Sequence, residues 1–236
     1  MSEKTRGRET VNRALQMLKL QQELNDATNG ADWEAGTTKN GKAINWKRCI
    51  YMECAEMIDS FAWKHWKSIA ADPDWANLQI EVVDVWHFVM SLVLQEYKRR
   101  NLGTLEDAAG AIAVMPFYEM LKDEAEGFAD EKLVMAQVES VMKDALDAKP
   151  DLTKLLVDFF ELVRMSNLDL ASLYRLYVGK NILNRFRQDH GYKEGHYIKV
   201  WNGEEDNVVM KRLWEEKGDM TPDELYAGLE AAYPAN

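Results

Sequence analysis

Proline, cysteine and positive charge are scarce in this chain of 236 residues, and each shortage excludes something. Five prolines and few β-branched runs leave little room for a sheet, so the reading is almost entirely helical. The two cysteines, Cys49 and Cys54, lie five apart on one predicted helix and point in different directions. That argues against an internal disulfide and fits free thiols in a reducing cytosol. No uninterrupted run of about 20 apolar residues stands out, and the opening MSEKTRGRET carries no apolar signal core. A cytoplasmic location with no membrane partner is therefore expected. The net charge of −11 argues against a general nucleic-acid surface, so no nucleic-acid partner is expected either. A small anionic substrate stays open if cations are concentrated locally.

What is present suits a globular protein: 47% hydrophobic and 29% charged residues, in a length that buries one core. A first helix is predicted over 9–27, with apolar stripes Val11, Leu15, Leu18 and Met17, Leu20, Leu24. The first stripe runs on into Gln22 and Asn25. These are either solvated amides near a helix end or donor–acceptor groups for a nucleobase edge. Residues 28–45 form a Gly- and Asn-rich loop too long for a simple connection. Helix two is read over 46–70, and Asp72-Pro73-Asp74 opens helix three over 75–101, which Asn101-Leu102-Gly103 stops. Residues 104–149 are acidic and alanine-rich, with Gly110, Pro116 and Gly127, and read as a looser, mobile helical insertion. The catalytic core is then 1–103 and 150–236, a single functional domain overall. Further helices are expected to 166, over 168–188, and after Thr221-Pro222-Asp223-Glu224, with a loop through Gly191 and Gly195 to the NGEED turn.

Four acids carry the chemistry. Glu53 and Glu56 lie three apart on helix two, and Glu81 and Asp84 three apart on helix three, so each pair shares a helical face. Glu53 and Glu56 sit among Cys49, Ile50, Met57 and Ser60. Glu81 and Asp84 sit among Leu78, Val85, Phe88 and Leu92. Acids on apolar faces repel one another and lose hydration, at a cost of several kcal/mol per ion unless compensated. Hard divalent cations compensate: Mg²⁺ or Mn²⁺ takes oxygen ligands and completes its shell with water and phosphate oxygens. A metal-dependent phosphate enzyme follows as the expectation.

The basic counterpart lies between Arg175 and Lys199. Arg175, Lys180, Arg185, Arg187, Lys193 and Lys199 face only Asp189 and Glu194 there. Lys180, Asn184 and Arg187 fall within about 60° of one another on the helix, and Tyr192, Lys199 and Asn207 follow on the loop. A cationic helix end often serves only the helix dipole. Arg and Lys donors would equally bind a triphosphate and stabilise charge building on a leaving pyrophosphate.

The acidic pairs match the E-x-x-E … E-x-x-D pattern of the all-α nucleoside triphosphate pyrophosphohydrolases, with 24 residues between them. LKLQQELNDATNG, WKRCIYMECAEMIDSFAWKHWK, EVVDVWHF and YVGKNILNRFRQDHGYKEGHYIKVWNGEEDN resemble the dimeric dUTPases of trypanosomatids, some bacteria and phages. The likeness covers residues 13–101 and 168–207. It implies an all-α, helical-bundle homodimer that hydrolyses dUTP, and typically dUDP, to dUMP, releasing pyrophosphate from dUTP. It also implies Mg²⁺, two or more per site, with Mn²⁺ as a substitute. Glu53, Glu56, Glu81 and Asp84 stand at the family's metal-ligand positions, and Glu53 at that of its water-activating carboxylate. Gln22 and Asn25 match its uracil-reading amides, and Trp63 an aromatic residue of the base pocket, with Trp66 a close competitor for that match. Lys180, Asn184, Arg187, Tyr192, Lys199 and Asn207 match its phosphate- and sugar-binding motifs. A sibling activity on dCTP or a broader set of dNTPs is the alternative on the same fold. His87 reads as a hydrogen-bonded core histidine. A di-iron carboxylate bundle is disfavoured because it needs two E-x-x-H motifs and one acid-x-x-His is present.

Overall fold

In this computed structural model, residues 3–67, 71–217 and 220–234 are described, with side chains from residue 7 onward. The chain forms two compact units, residues 1–174 and 175–236.

The first unit is built around one apolar helix. α3 (Trp75–Arg100) buries fifteen of its residues, from Leu78 to Gln95. It is long and apolar enough to cross a membrane, yet 78% of its most apolar stretch is buried inside the protein, as expected of a core helix. Asp74 caps it, accepting from the Asn77 amide at 2.9 Å, and Asn101 ends it in the left-handed conformation (φ 52). α1 (Glu3–Asn29), α2 (Trp46–Asp59) and α7 (Leu152–Met165) pack against it. Trp86 of α3 stacks on Phe159 of α7 at 5.2 Å with the rings nearly parallel. The segment expected to be loose contains α4 (Leu105–Ala113), α5 (Pro116–Met120) and α6 (Glu131–Leu146). α4 lies on α1, and α6 on α2 and α7, each through buried alanines and valines.

The end of α2 differs from the sequence reading. α2 ends at Asp59, not near 70, because the chain turns back there. The Ser60 carbonyl accepts from the Asp74 amide at 2.8 Å, and its hydroxyl accepts from Asn77 at 3.0 Å. Phe61 is buried edge-on to Trp75 at 5.5 Å. Residues 68–70 of the expected helix lie outside the described residues. The long loop is also more ordered than its composition implies: Trp33–Ala35 form a 3₁₀ turn whose Trp33 is fully buried.

In the second unit, α8 (Leu170–Asp189, entering from the first) leads to a short hairpin, β1 (Val200–Trp201) with β2 (Glu204–Glu205). α9 (Asp206–Lys217), where the sequence suggested only a turn, and α10 (Pro222–Ala232) follow. Thr221 and Glu224 form a reciprocal capping box on α10, with Pro222 at its first position. Its centre is aromatic: Phe186, Tyr197, Trp201 and Tyr233 contact one another with ring centroids 5.3–6.4 Å apart. At Gly179 an added Cβ would lie 2.7 Å from the Met210 sulfur, so glycine is what lets α8 and α9 approach.

Candidate active site

α2 and α3 bring three acids together. One carboxylate oxygen each from Glu53, Glu81 and Asp84 lies within 4.8 Å of the others, with Glu81 buried and the other two half-buried. Glu56 is exposed and lies outside that group. The rotation of α2 explains this. Its buried stripe is Ile50, Cys54 and Met57, which places Glu53 about 70° and Glu56 about 130° from the stripe's centre. Equal spacing along the sequence therefore does not give equal depth.

At such separations each pair of negative charges repels by about 3–4 kcal/mol at an effective dielectric of about 20. An all-oxygen, anionic donor set of this size fits a hard divalent cation placed between the three. The charge of Glu53 reaches the neighbouring thiols as well. Burial first, and Glu53 second, push the Cys49 and Cys54 thiols up from their ordinary value, so both are held neutral and unsuited to nucleophilic attack.

The amides of α1 fall into two networks. Gln21, which sequence reasoning passed over, is buried and links α1 to α3: its Oε1 accepts from His87 Nδ1 at 2.7 Å. Its Nε2 donates to Ser91 Oγ at 3.0 Å and Asn25 Oδ1 at 3.3 Å, while Asn25 Nδ2 donates to Ser91 Oγ at 2.9 Å. His87 is thus the hydrogen-bonded core histidine expected. Gln22 is half-buried one position away and bonds to Asp26 and Glu34 instead. Trp63 lies on the loop after α2 and is 41% exposed, donating to Asp59 at 2.9 Å and contacting Trp66 edge-on. Trp66 is more exposed still, at 61%.

In the second unit the expected phosphate residues gather around an acid the sequence reading had left out. Asp206 is fully buried and takes two bonds from Arg187, Nε to Oδ2 and Nη2 to Oδ1, both 2.8 Å. The Tyr197 hydroxyl donates to Asp206 Oδ2 at 2.8 Å. Arg187 Nη1 donates to Asn184 at 3.1 Å, and Lys180 donates to Asn207 at 2.7 Å. The Tyr192 ring lies 6.0 Å from the guanidinium. Lys199, just before the hairpin, turns its ammonium to Glu205 at 3.7 Å, while its carbonyl accepts from the Asp206 amide at 3.0 Å. Asp206 escaped notice because it lies seven residues beyond the basic stretch. The signal that could have found it was the need of a buried arginine for a counter-ion.

Burial alone would raise the Asp206 carboxyl. The hydrogen bonds and charge of Arg187, the Tyr197 hydroxyl and the Lys180 charge outweigh it and hold the group below its ordinary value. A depressed carboxyl adds stability that is complete above its unfolded value and is lost as pH falls through the folded one. The thermal midpoint is therefore expected to drop as pH falls below about 4. Asp206→Asn should flatten that limb in a series of melts, and an unchanged slope would refute the assignment.

A family model described as dUTPase matches residues 13–192. The chain belongs to the dUTPase family. That range takes in most of α1 and all of α2 to α8, with Gln22, Asn25, Trp63, all four acids, Lys180, Asn184, Arg187 and Tyr192. Lys199, Asp206 and Asn207 lie beyond it. The all-α fold agrees with the family, and membership makes the chain a dUTP diphosphatase. No curated protein matches.

Proposed function

We propose that this dUTPase converts dUTP to dUMP and pyrophosphate, and accepts dUDP, with Mg²⁺ ions bound at Glu53, Glu81 and Asp84. The observation carrying the reading is the convergence of those three carboxylates from α2 and α3 within 4.8 Å. Glu56, at the exposed edge of α2, is proposed as the fourth ligand. Bound Mg²⁺, two or more ions or Mn²⁺ in their place, would neutralise phosphate charge and acidify a coordinated water. Glu53 is proposed to take the proton from the attacking water. Its half-buried position beside neutral thiols supports an acid–base role without a covalent nucleophile.

Gln22 and Asn25 are proposed to read the uracil edge, with the exposed indole of Trp63 against the base. Lys180, Asn184, Arg187, Tyr192, Lys199 and Asn207 are proposed to hold the phosphates and sugar. The bidentate tie to Asp206 supports this for Arg187, since a fixed guanidinium plane loses little freedom on binding. We further infer that the enzyme works as a cytoplasmic homodimer without nucleic-acid or membrane partners, a reading the net charge of −11 supports with respect to polyanions.

Phosphorus NMR of a dUTP reaction tests the chemistry. The expected products are dUMP and pyrophosphate. Chelation with EDTA should stop turnover, and Mg²⁺ should restore it. Release of orthophosphate, or full activity in EDTA, would overturn the proposal.

A further inference from the structure

The last helix is tied to the end of α8, the turn that carries Arg187. Tyr226 donates its hydroxyl to Asp189 Oδ2 at 2.8 Å, and its ring lies 5.4 Å from the Arg185 guanidinium. Glu230 stands 3.2 Å from His190 Nε2, one residue past the helix. Leu225 and Leu229 are fully buried, so α10 is packed as well as tied.

Tyr233, the residue after α10, carries the tie to the carboxylate behind that arginine. Its ring stacks on Tyr197 with centroids 5.5 Å apart and planes 20° from parallel. Its hydroxyl accepts from the Ile198 amide at 3.0 Å. Tyr197 is therefore held both by its ring and by the backbone that follows it. A phenol has one proton to donate, and that of Tyr197 goes to Asp206 Oδ2 at 2.8 Å. Burial first, and the Asp206 charge second, push this hydroxyl up from its ordinary value, so it keeps the proton it donates. Asp206 in turn takes Nε and Nη2 of Arg187, one edge of the guanidinium. That turns Nη1 toward Asn184 at 3.1 Å, among the residues proposed above for phosphate and sugar.

We propose that Tyr197 and Tyr233 are positioning residues: through Asp206 they fix the plane of the Arg187 guanidinium, so the C-terminal helix sets how tightly the site holds a polyphosphate. This rests on Arg187 holding phosphate, as proposed above. A guanidinium meets phosphate oxygens with N–H groups that lie in its own plane. A plane that can rotate keeps the charge but loses the paired bonds. Tyr197, Asp206 and Tyr233 all lie beyond the matched residues 13–192, so the family match assigns them no part.

The test compares binding of a non-hydrolysable dUTP analogue with binding of deoxyuridine, which has no phosphate. The proteins are the wild type, Tyr197→Phe, Tyr233→Ala, the two combined, and Arg187→Lys. Tyr197→Phe keeps the ring stack and removes the bond to Asp206. It should weaken the analogue about fivefold or more, as should Tyr233→Ala, while deoxyuridine changes less than about twofold. The two losses should not add in the combined variant, because Tyr233 acts through the Tyr197 hydroxyl. Equal loss on both ligands would be general damage to the fold and overturns the proposal, as do fully additive losses. Tyr197→Phe decides the matter if Tyr233→Ala does not fold. Analogue binding that holds in both tyrosine variants but falls in Arg187→Lys overturns the proposal and leaves the phosphate reading intact. Analogue binding that Arg187→Lys does not move overturns both.

Discussion

Glu53→Gln is expected to lower kcat on dUTP by about 10³-fold while a non-hydrolysable dUTP analogue still binds within a few fold of wild type. The substitution keeps the size of the side chain and one ligand oxygen but removes the negative charge and the basic site. Glu53 is one corner of the acidic group, with Glu81 and Asp84 opposite it within 4.8 Å. Losing its charge weakens the cation site and removes the proton acceptor together, so the loss should exceed that of either effect alone. The nucleotide's base and phosphate tail would keep their proposed contacts with α1 and with the α8 cations, which is why binding should survive. Steady-state kinetics and calorimetry with the analogue separate the two quantities. Turnover within a few fold of wild type would show that another group takes the proton.

Arg187→Met should cost about 3–5 kcal/mol of stability, the usual result of stripping one member from a buried ion pair. Asp206 has no exposed surface and takes both of its guanidinium bonds from this one side chain. Without the cation, a carboxylate lies buried with the Tyr197 hydroxyl as its remaining strong donor. Denaturant melts should show the loss. Arg187→Met combined with Asp206→Leu should recover most of the stability, because an apolar pair of similar volume leaves no buried charge. Activity should stay low in the double variant, since the proposed phosphate contact is gone. Recovery of stability and activity together would make the pair purely structural. A single variant as stable as wild type would refute the buried ion pair itself.

The acidic site was legible because each pair of acids stood on an otherwise apolar helical face, and a buried acid needs a compensating charge. Its depth was not. Spacing of three places two side chains on neighbouring positions, but only the packing of Ile50, Cys54 and Met57 sets Glu53 inward and Glu56 outward. The starts of α3 and α10 read well, because Asp74 and Thr221 carry their own capping chemistry in the sequence. The end of α2 read badly: it is set by Ser60 and Phe61 meeting residues near 75, a contact without local signature. Asp206 and Gln21 were missed for the same reason. One completes an ion pair across nineteen residues and the other a hydrogen-bond network across sixty-six or more, and periodicity is blind to such partners. α9 was hidden by the polar NGEED run, whose last acid turned out to begin the helix.

Anomalous diffraction from crystals grown with Mn²⁺ and a non-hydrolysable dUTP analogue addresses the central claim most directly. The account predicts a manganese peak within about 2.0–2.4 Å of oxygens from Glu53, Glu81 and Asp84, with analogue phosphate oxygens completing the shell. Manganese bound elsewhere, with those three carboxylates lacking any ion and remote from the phosphates, would contradict it.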